Sequence, residues 1–120
     1  MTITRCLHVA LLVTDLPQAE HFYGTVLGLK KIDRALRFPG AWYEVGGFQI
    51  HLMTADTIAD SLYNPDKWGR NPHIAFLVEN LDDAKARLLD SGCPMQVSAS
   101  GRAALFTRDP DGNVIELSQG

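Results

Sequence analysis

The chain has 120 residues, one domain's worth, enough for a real core but not for two large independent ones. An apolar fraction of 46%, a charged fraction of 21% and a net charge of −3 argue against disorder and leave no concentrated positive charge for nucleic acid. No apolar run approaches the roughly 18–20 residues that cross a bilayer, and Leu7–Val13 is too short, and too closely followed by a helix, to read as a signal peptide.

Residues 7–13 read as a short apolar strand carrying His8. Asp15 is a plausible N-cap and Pro17 is tolerated in the first helical turn, after which Leu16, Ala19, Phe22, Tyr23, Val26 and Leu27 recur at helical spacing up to Gly28. Extended segments follow at about 29–37, 41–45 and 48–53, the last two joined by the Gly46-Gly47 hairpin signal. Residues 54–71 show no periodicity and form a long connection, either a bridge or a functional flap. A second strand, 73–78, leads through Asn80 into a helix over 81–91, stopped by Gly92 and Pro94. Strands near 95–98 and 103–108, a turn at Asp109-Pro110-Asp111-Gly112-Asn113 and a strand over 113–118 close the chain. Cys6 and Cys93 match no metal or redox spacing, so two free thiols of a cytoplasmic protein are expected.

The order β-α-β-β-β thus occurs twice, and the copies align residue by residue. His73 lies 65 positions after His8; at the same offset Ala10 meets Ala75, Leu12 meets Leu77, and Ile50-His51-Leu52 meets Ile115-Glu116-Leu117. A single domain made of two repeated modules, about 4–53 and 72–119, is the result. Strand alternation puts His8 with Ala10 and Leu12, His73 with Ala75 and Leu77, His51 with Gln49 and Met53, and Glu116 with Val114 and Ser118. The opposite faces carry Val9, Leu11, Ile74, Phe76, Ile50, Leu52, Ile115 and Leu117, fit to pack beneath the helices. Four potential ligands at repeat-related positions on one strand face point to a metal held by His8, His51, His73 and Glu116. Imidazole and carboxylate without thiolate suit nickel, zinc, iron(II), cobalt or manganese better than calcium. His21, which has no repeat partner, reads as a surface histidine.

LHVALLVTDL around His8, FYGTVLGL at the end of the first helix, IHLM at 50–53, PHIAFLV at 72–78 and DPDGNVIEL at 109–117 resemble the vicinal oxygen chelate superfamily. That group holds glyoxalase I, extradiol dioxygenases and bleomycin-binding proteins. The resemblance implies an α+β fold in which two βαβββ modules form a curled, mostly antiparallel eight-stranded sheet around a metal cleft. It places His8, His73 and Glu116 on the shared two-histidine, one-carboxylate triad, and His51 where glyoxalase I has a glutamate. Four protein ligands favour lyase or isomerase chemistry on a small oxygen-chelating substrate, with His51 or Glu116 as proton shuttle. The alternatives are an iron(II) extradiol-type dioxygenase and a non-catalytic bleomycin-type binder, whose class generally lacks the ligand set. The resemblance and the 54–71 linker together imply a homodimer sharing its sites.

Where glyoxalase I grips the charged ends of glutathione, the aligned residues here are Leu12, Ala55 and Gly69, none able to pair a carboxylate through its side chain. Arg70 and Arg102 are candidate substitutes, and Arg37, Trp42 and Trp68 candidate borders of the cleft. A substrate other than a strict glutathione hemithioacetal is therefore expected.

Overall fold

Two repeated patterns of one β-branched strand, one capped helix and three further strands fold as two units, Met1–Ile58 and Ala59–Gly120. A computed structural model describes residues 1–35, 37–59 and 62–120. Position 36 of the expected extended segment and positions 60 and 61 of the expected linker lie outside the described residues.

In the first unit, β1 (His8–Val13) enters α1 (Leu16–Glu20), whose N-cap Asp15 accepts from the Gln18 amide. The helix continues as a π-helical stretch, His21–Val26, rather than as the regular helix that the spacing predicts. The wider turn lets Phe22, Tyr23 and Val26 all reach the interior. Strands β2 (Lys30–Ile32), β3 (Gly40–Val45) and β4 (Phe48–Thr54) follow, so among its described residues the extended stretch expected over 29–37 pairs only over Lys30–Ile32. Gly46 and Gly47 both have positive φ, 53° and 79°, as a tight two-residue hairpin demands.

The second unit repeats the order: β5 (His73–Val78), α2 (Leu81–Asp90, capped by Asn80), β6 (Met95–Val97), β7 (Ala104–Arg108) and β8 (Val114–Gln119). The expected turn between the last two strands is built on Asp109, whose carboxylate accepts from the amides of Asp111 and Asn113. The end of the connecting segment is also organised. It forms a 3-10 turn, Trp68–Arg70, and the buried Asn71 side chain donates to carbonyls of Asn64 and Trp68 while accepting from the Asn64 amide.

Among the described residues the eight strands form two four-stranded sheets of identical order, β1-β4-β3-β2 and β5-β8-β7-β6. In each the outer first strand runs parallel to the last, and the remaining pairings are antiparallel. The fold is α+β. Ile50, Leu52, Leu105 and Ile115 are fully buried, each contributing about 1.5–3 kcal/mol by leaving water. These alternate with the residues of the ligand-bearing face, so packing fixes which way the candidate ligands point. No helix among the described residues is long and apolar enough to cross a membrane.

Candidate metal centre

In the second unit, parallel pairing of β5 with β8 sets His73 beside Val114 and Ala75 beside Glu116, putting both candidate ligands on one face. His73 Nδ1 lies 2.7 Å from the Asn71 carbonyl, which can only accept, so Nδ1 carries a proton and the neutral ring's lone pair is on Nε2. That Nε2 is 3.5 Å from Glu116 Oε1. Glu116 is 8% exposed; Ser118 Oγ donates to its Oε2 at 2.7 Å and Arg102 Nη2 approaches its Oε1 at 3.4 Å. Burial pushes the Glu116 carboxyl up, but the bonds from Ser118 and Arg102 and the charges of Arg102 and His73 outweigh it and hold the group below its ordinary range. Two donors bound tetrahedrally at about 2.1 Å stand roughly 3.4 Å apart. The pair thus fits a divalent ion, with Asn71 and Ser118 as the anchoring groups that metal ligands need.

The first unit arranges its pair differently. His51 faces Trp42 across β3 and β4, and the two rings stack at 3.6 Å and 6°. His8 stacks on His51 at 4.1 Å and 16°, and Arg34 covers Trp42 at 4.1 Å. His51 Nε2 lies 2.8 Å from Gln49 Oε1, which places the proton on Nε2 and the lone pair on Nδ1. Burial, then the charges of His8 and Arg34, push the His51 pKa down and keep the ring neutral. Neutral imidazole is the ligand form, but a metal bound through ring nitrogen lies in the ring plane. With ring centroids 4.1 Å apart and planes inclined by 16°, the two planes meet on the order of ten ångströms away, far beyond a metal–nitrogen bond of about 2.1 Å. His8 and His51 can share an ion only after one ring turns.

The candidates therefore gather as two pairs, one in each unit. Among the described residues no three or more His, Cys, Asp or Glu side chains are placed to hold an ion together.

The sequence from residue 5 to 117 matches the model of the Glyoxalase/Bleomycin resistance protein/Dioxygenase superfamily. The chain belongs to that superfamily. It is 30% identical to the lactoylglutathione lyase of Salmonella typhimurium over 94% of its own length and 90% of that protein's. A fosfomycin resistance protein from Listeria monocytogenes, 22% identical, superposes with a TM-score of 0.78 over 99% of this chain and 93% of that one. A lactoylglutathione lyase from Agrobacterium tumefaciens, 23% identical, gives 0.71 over 100% and 96%.

Arg102 reaches Glu116, whereas Arg37 and His21 are exposed. Trp42 is part of the ring stack, and Trp68 donates its indole N–H to the Pro65 carbonyl with Arg108 5.9 Å from its ring. Cys6 and Cys93 are both free thiols. Gln49, Ser118 and Asn71, to which the sequence alone assigns no role, anchor the candidate ligands. Gln49 and Ser118 lie two positions from the residues they support, the same-face spacing of a strand, and that spacing is the signal that finds them; Asn71 lies before β5 and acts through its backbone carbonyl, which side-chain alternation does not reveal.

Proposed function

We propose that this chain is a metal-dependent lyase or isomerase of the glyoxalase type, with His8, His51, His73 and Glu116 as ligands of one divalent ion. The observation that carries the reading is the His73–Glu116 pair, its free lone pair and carboxylate 3.5 Å apart and each anchored from behind. A divalent ion bound there supplies Lewis acidity toward neighbouring oxygens of a small substrate. Glu116, held anionic by Ser118 and Arg102, can accept a proton at a carboxylate oxygen. His51, kept neutral with its lone pair on Nδ1, would be a second acceptor when that nitrogen is displaced from the ion. Nickel, zinc, iron(II), cobalt and manganese all suit the donor set.

The substrate in this reading is not a strict glutathione hemithioacetal. Leu12, Ala55 and Gly69 stand where charged grips would be, and losing two charge-assisted pairs weakens binding roughly a hundredfold or more. Metal titration by calorimetry, followed by kinetics with methylglyoxal plus glutathione and each metal in turn, tests both parts. A protein that binds none of the five metals ends the reading. A kcat/KM of about 10⁵ M⁻¹s⁻¹ or more with glutathione ends its substrate clause alone.

The reading includes a homodimer, each ion held by the first-repeat pair of one subunit and the second-repeat pair of the other. The repeat-related Leu12 and Leu77, on the face that carries the candidate ligands, support it by being 45% and 76% exposed, apolar side chains that a second copy would cover. Mixing His8→Ala and His73→Ala chains should restore activity through heterodimers. Sedimentation as a monomer would refute the arrangement.

A further inference from the structure

We propose that the second unit holds a binding recess for a small organic anion, with Lys67 and Arg70 taking the acid group and Phe106 carrying the apolar end. Resting on the function proposed above, this assigns the substrate class as an acid-bearing molecule with a short apolar portion.

The recess has a volume of about 400 Å³, within the range of small-molecule sites. Phe106 forms a wall, 7% exposed, and its ring meets His73 edge-on at 5.5 Å. One aromatic ring therefore separates the recess from a candidate ligand. Phe106 also pairs with Glu116 across β7 and β8, so it shares the ligand-bearing face. The Trp68–Arg70 turn lies directly on this ring. A Cβ on Gly69 would come within 2.5 Å of Phe106 Cζ, so only glycine allows the approach.

The rim is built as well as the wall. Gln96 uses both ends of its amide on the loop, accepting from the Trp68 amide at 2.8 Å and donating to the Asp66 carbonyl at 2.7 Å. That fixes the backbone carrying Lys67 and Arg70 before any ligand arrives. Neither cation has a side-chain partner among the described residues. By contrast Lys31 pairs with Glu20, Arg34 covers Trp42 and Arg102 reaches Glu116. Asp66 is the acid of the lining, which leaves one net positive charge for a monoanion. An adjoining recess of about 450 Å³, bordered by Tyr63 and Asn64, shares Asp66, Lys67 and Arg70. The two cations thus sit where both recesses meet, and an acid group there has an apolar wall on one side and a polar one on the other.

The test is amide-shift NMR on the metal-free full-length chain, titrated separately with phenylacetate, phenylacetamide and acetate. Phenylacetate is expected to move the Gly69, Arg70 and Gln96 amides along a saturating curve. The neutral amide and the ringless acetate should each bind roughly tenfold more weakly or worse, the scale of one lost charge-assisted contact. Lys67→Gln with Arg70→Gln should cost phenylacetate a similar factor at unchanged Tm, since both side chains are exposed. Phenylacetate binding no tighter than phenylacetamide, or unaffected by the double substitution, overturns the recess. A chain that takes metal but not phenylacetate refutes this inference alone. One that takes phenylacetate but no metal overturns the substrate assignment together with the metal reading.

Discussion

The two repeats carry their candidate ligands at equivalent strand positions, yet one pair leaves a lone pair and a carboxylate facing each other and the other is locked in a ring stack. The difference lies across the strand. Opposite Glu116 is Phe106, and opposite His51 is Trp42. A carboxylate has no face to stack, so Glu116 is left to Ser118 and Arg102, and Phe106 meets His73 only by its edge. An imidazole at the same position is captured flat by the indole, and His8 joins the stack. Identical topology thus gives different readiness, set by whether the last strand's ligand is a ring.

The largest effect should come from removing the ready pair. His73→Ala or Glu116→Gln is expected to weaken zinc binding about a hundredfold or more, and His51→Ala about tenfold or less, because His51 must leave its stack to take part. Calorimetric titration of the three variants decides it; equal losses would abolish the distinction between the repeats.

Next in size is Gly69→Ala. The added methyl would meet Phe106 at 2.5 Å, and overpacking of this kind costs about 1–3 kcal/mol. Thermal unfolding should show Tm lowered by several degrees. An unchanged Tm would mean that the Trp68–Arg70 turn is not seated on Phe106.

The stack itself makes a smaller, spectroscopic prediction. In a Trp68→Phe chain, Trp42 is the remaining indole, and zinc should change its emission as His51 turns away. Trp42→Leu should tighten zinc binding several-fold by releasing the ring. Metal binding with Trp42 emission unaltered would show that His51 stays out of the ligand set.

Much of this was legible in the residues. The offset between His8 and His73, together with strand alternation, predicts the repeated element order, the ligand-bearing face and the apolar face beneath it, because packing of Ile50, Leu52 and Ile115 leaves the strands no other orientation. The state of the ligands was not legible. It depends on cross-strand neighbours, and the partner of His51 follows only once the β3–β4 register is known. The π-helical stretch was hidden for a related reason: Phe22, Tyr23 and Val26 satisfy an ordinary helical period, and only their common burial reveals the wider turn. Residues 64–71 looked featureless because Asn71 organises them through one side chain rather than through periodicity.

The smallest expected effect separates the repeats by pH. The folded pKa of His51 is lowered, first by burial and then by His8 and Arg34. Below an unfolded value of about 6.5 the unfolded chain then binds more protons at this site than the folded one. The stability that a neutral His51 allows is complete above that value and is lost as pH falls toward the folded pKa. Glu116 is also lowered, so its contribution is complete above its ordinary value of 4.5 and is lost only in stronger acid. Metal-free protein should therefore lose Tm in two stages. The stage just below neutrality belongs to the first repeat and should flatten in His51→Gln, whereas the stage below about pH 4.5 should flatten in Glu116→Gln. If His51→Gln left the upper stage as steep as in the parent chain, the acid sensitivity would arise elsewhere, and the stack around His51 would not be what keeps that ring neutral.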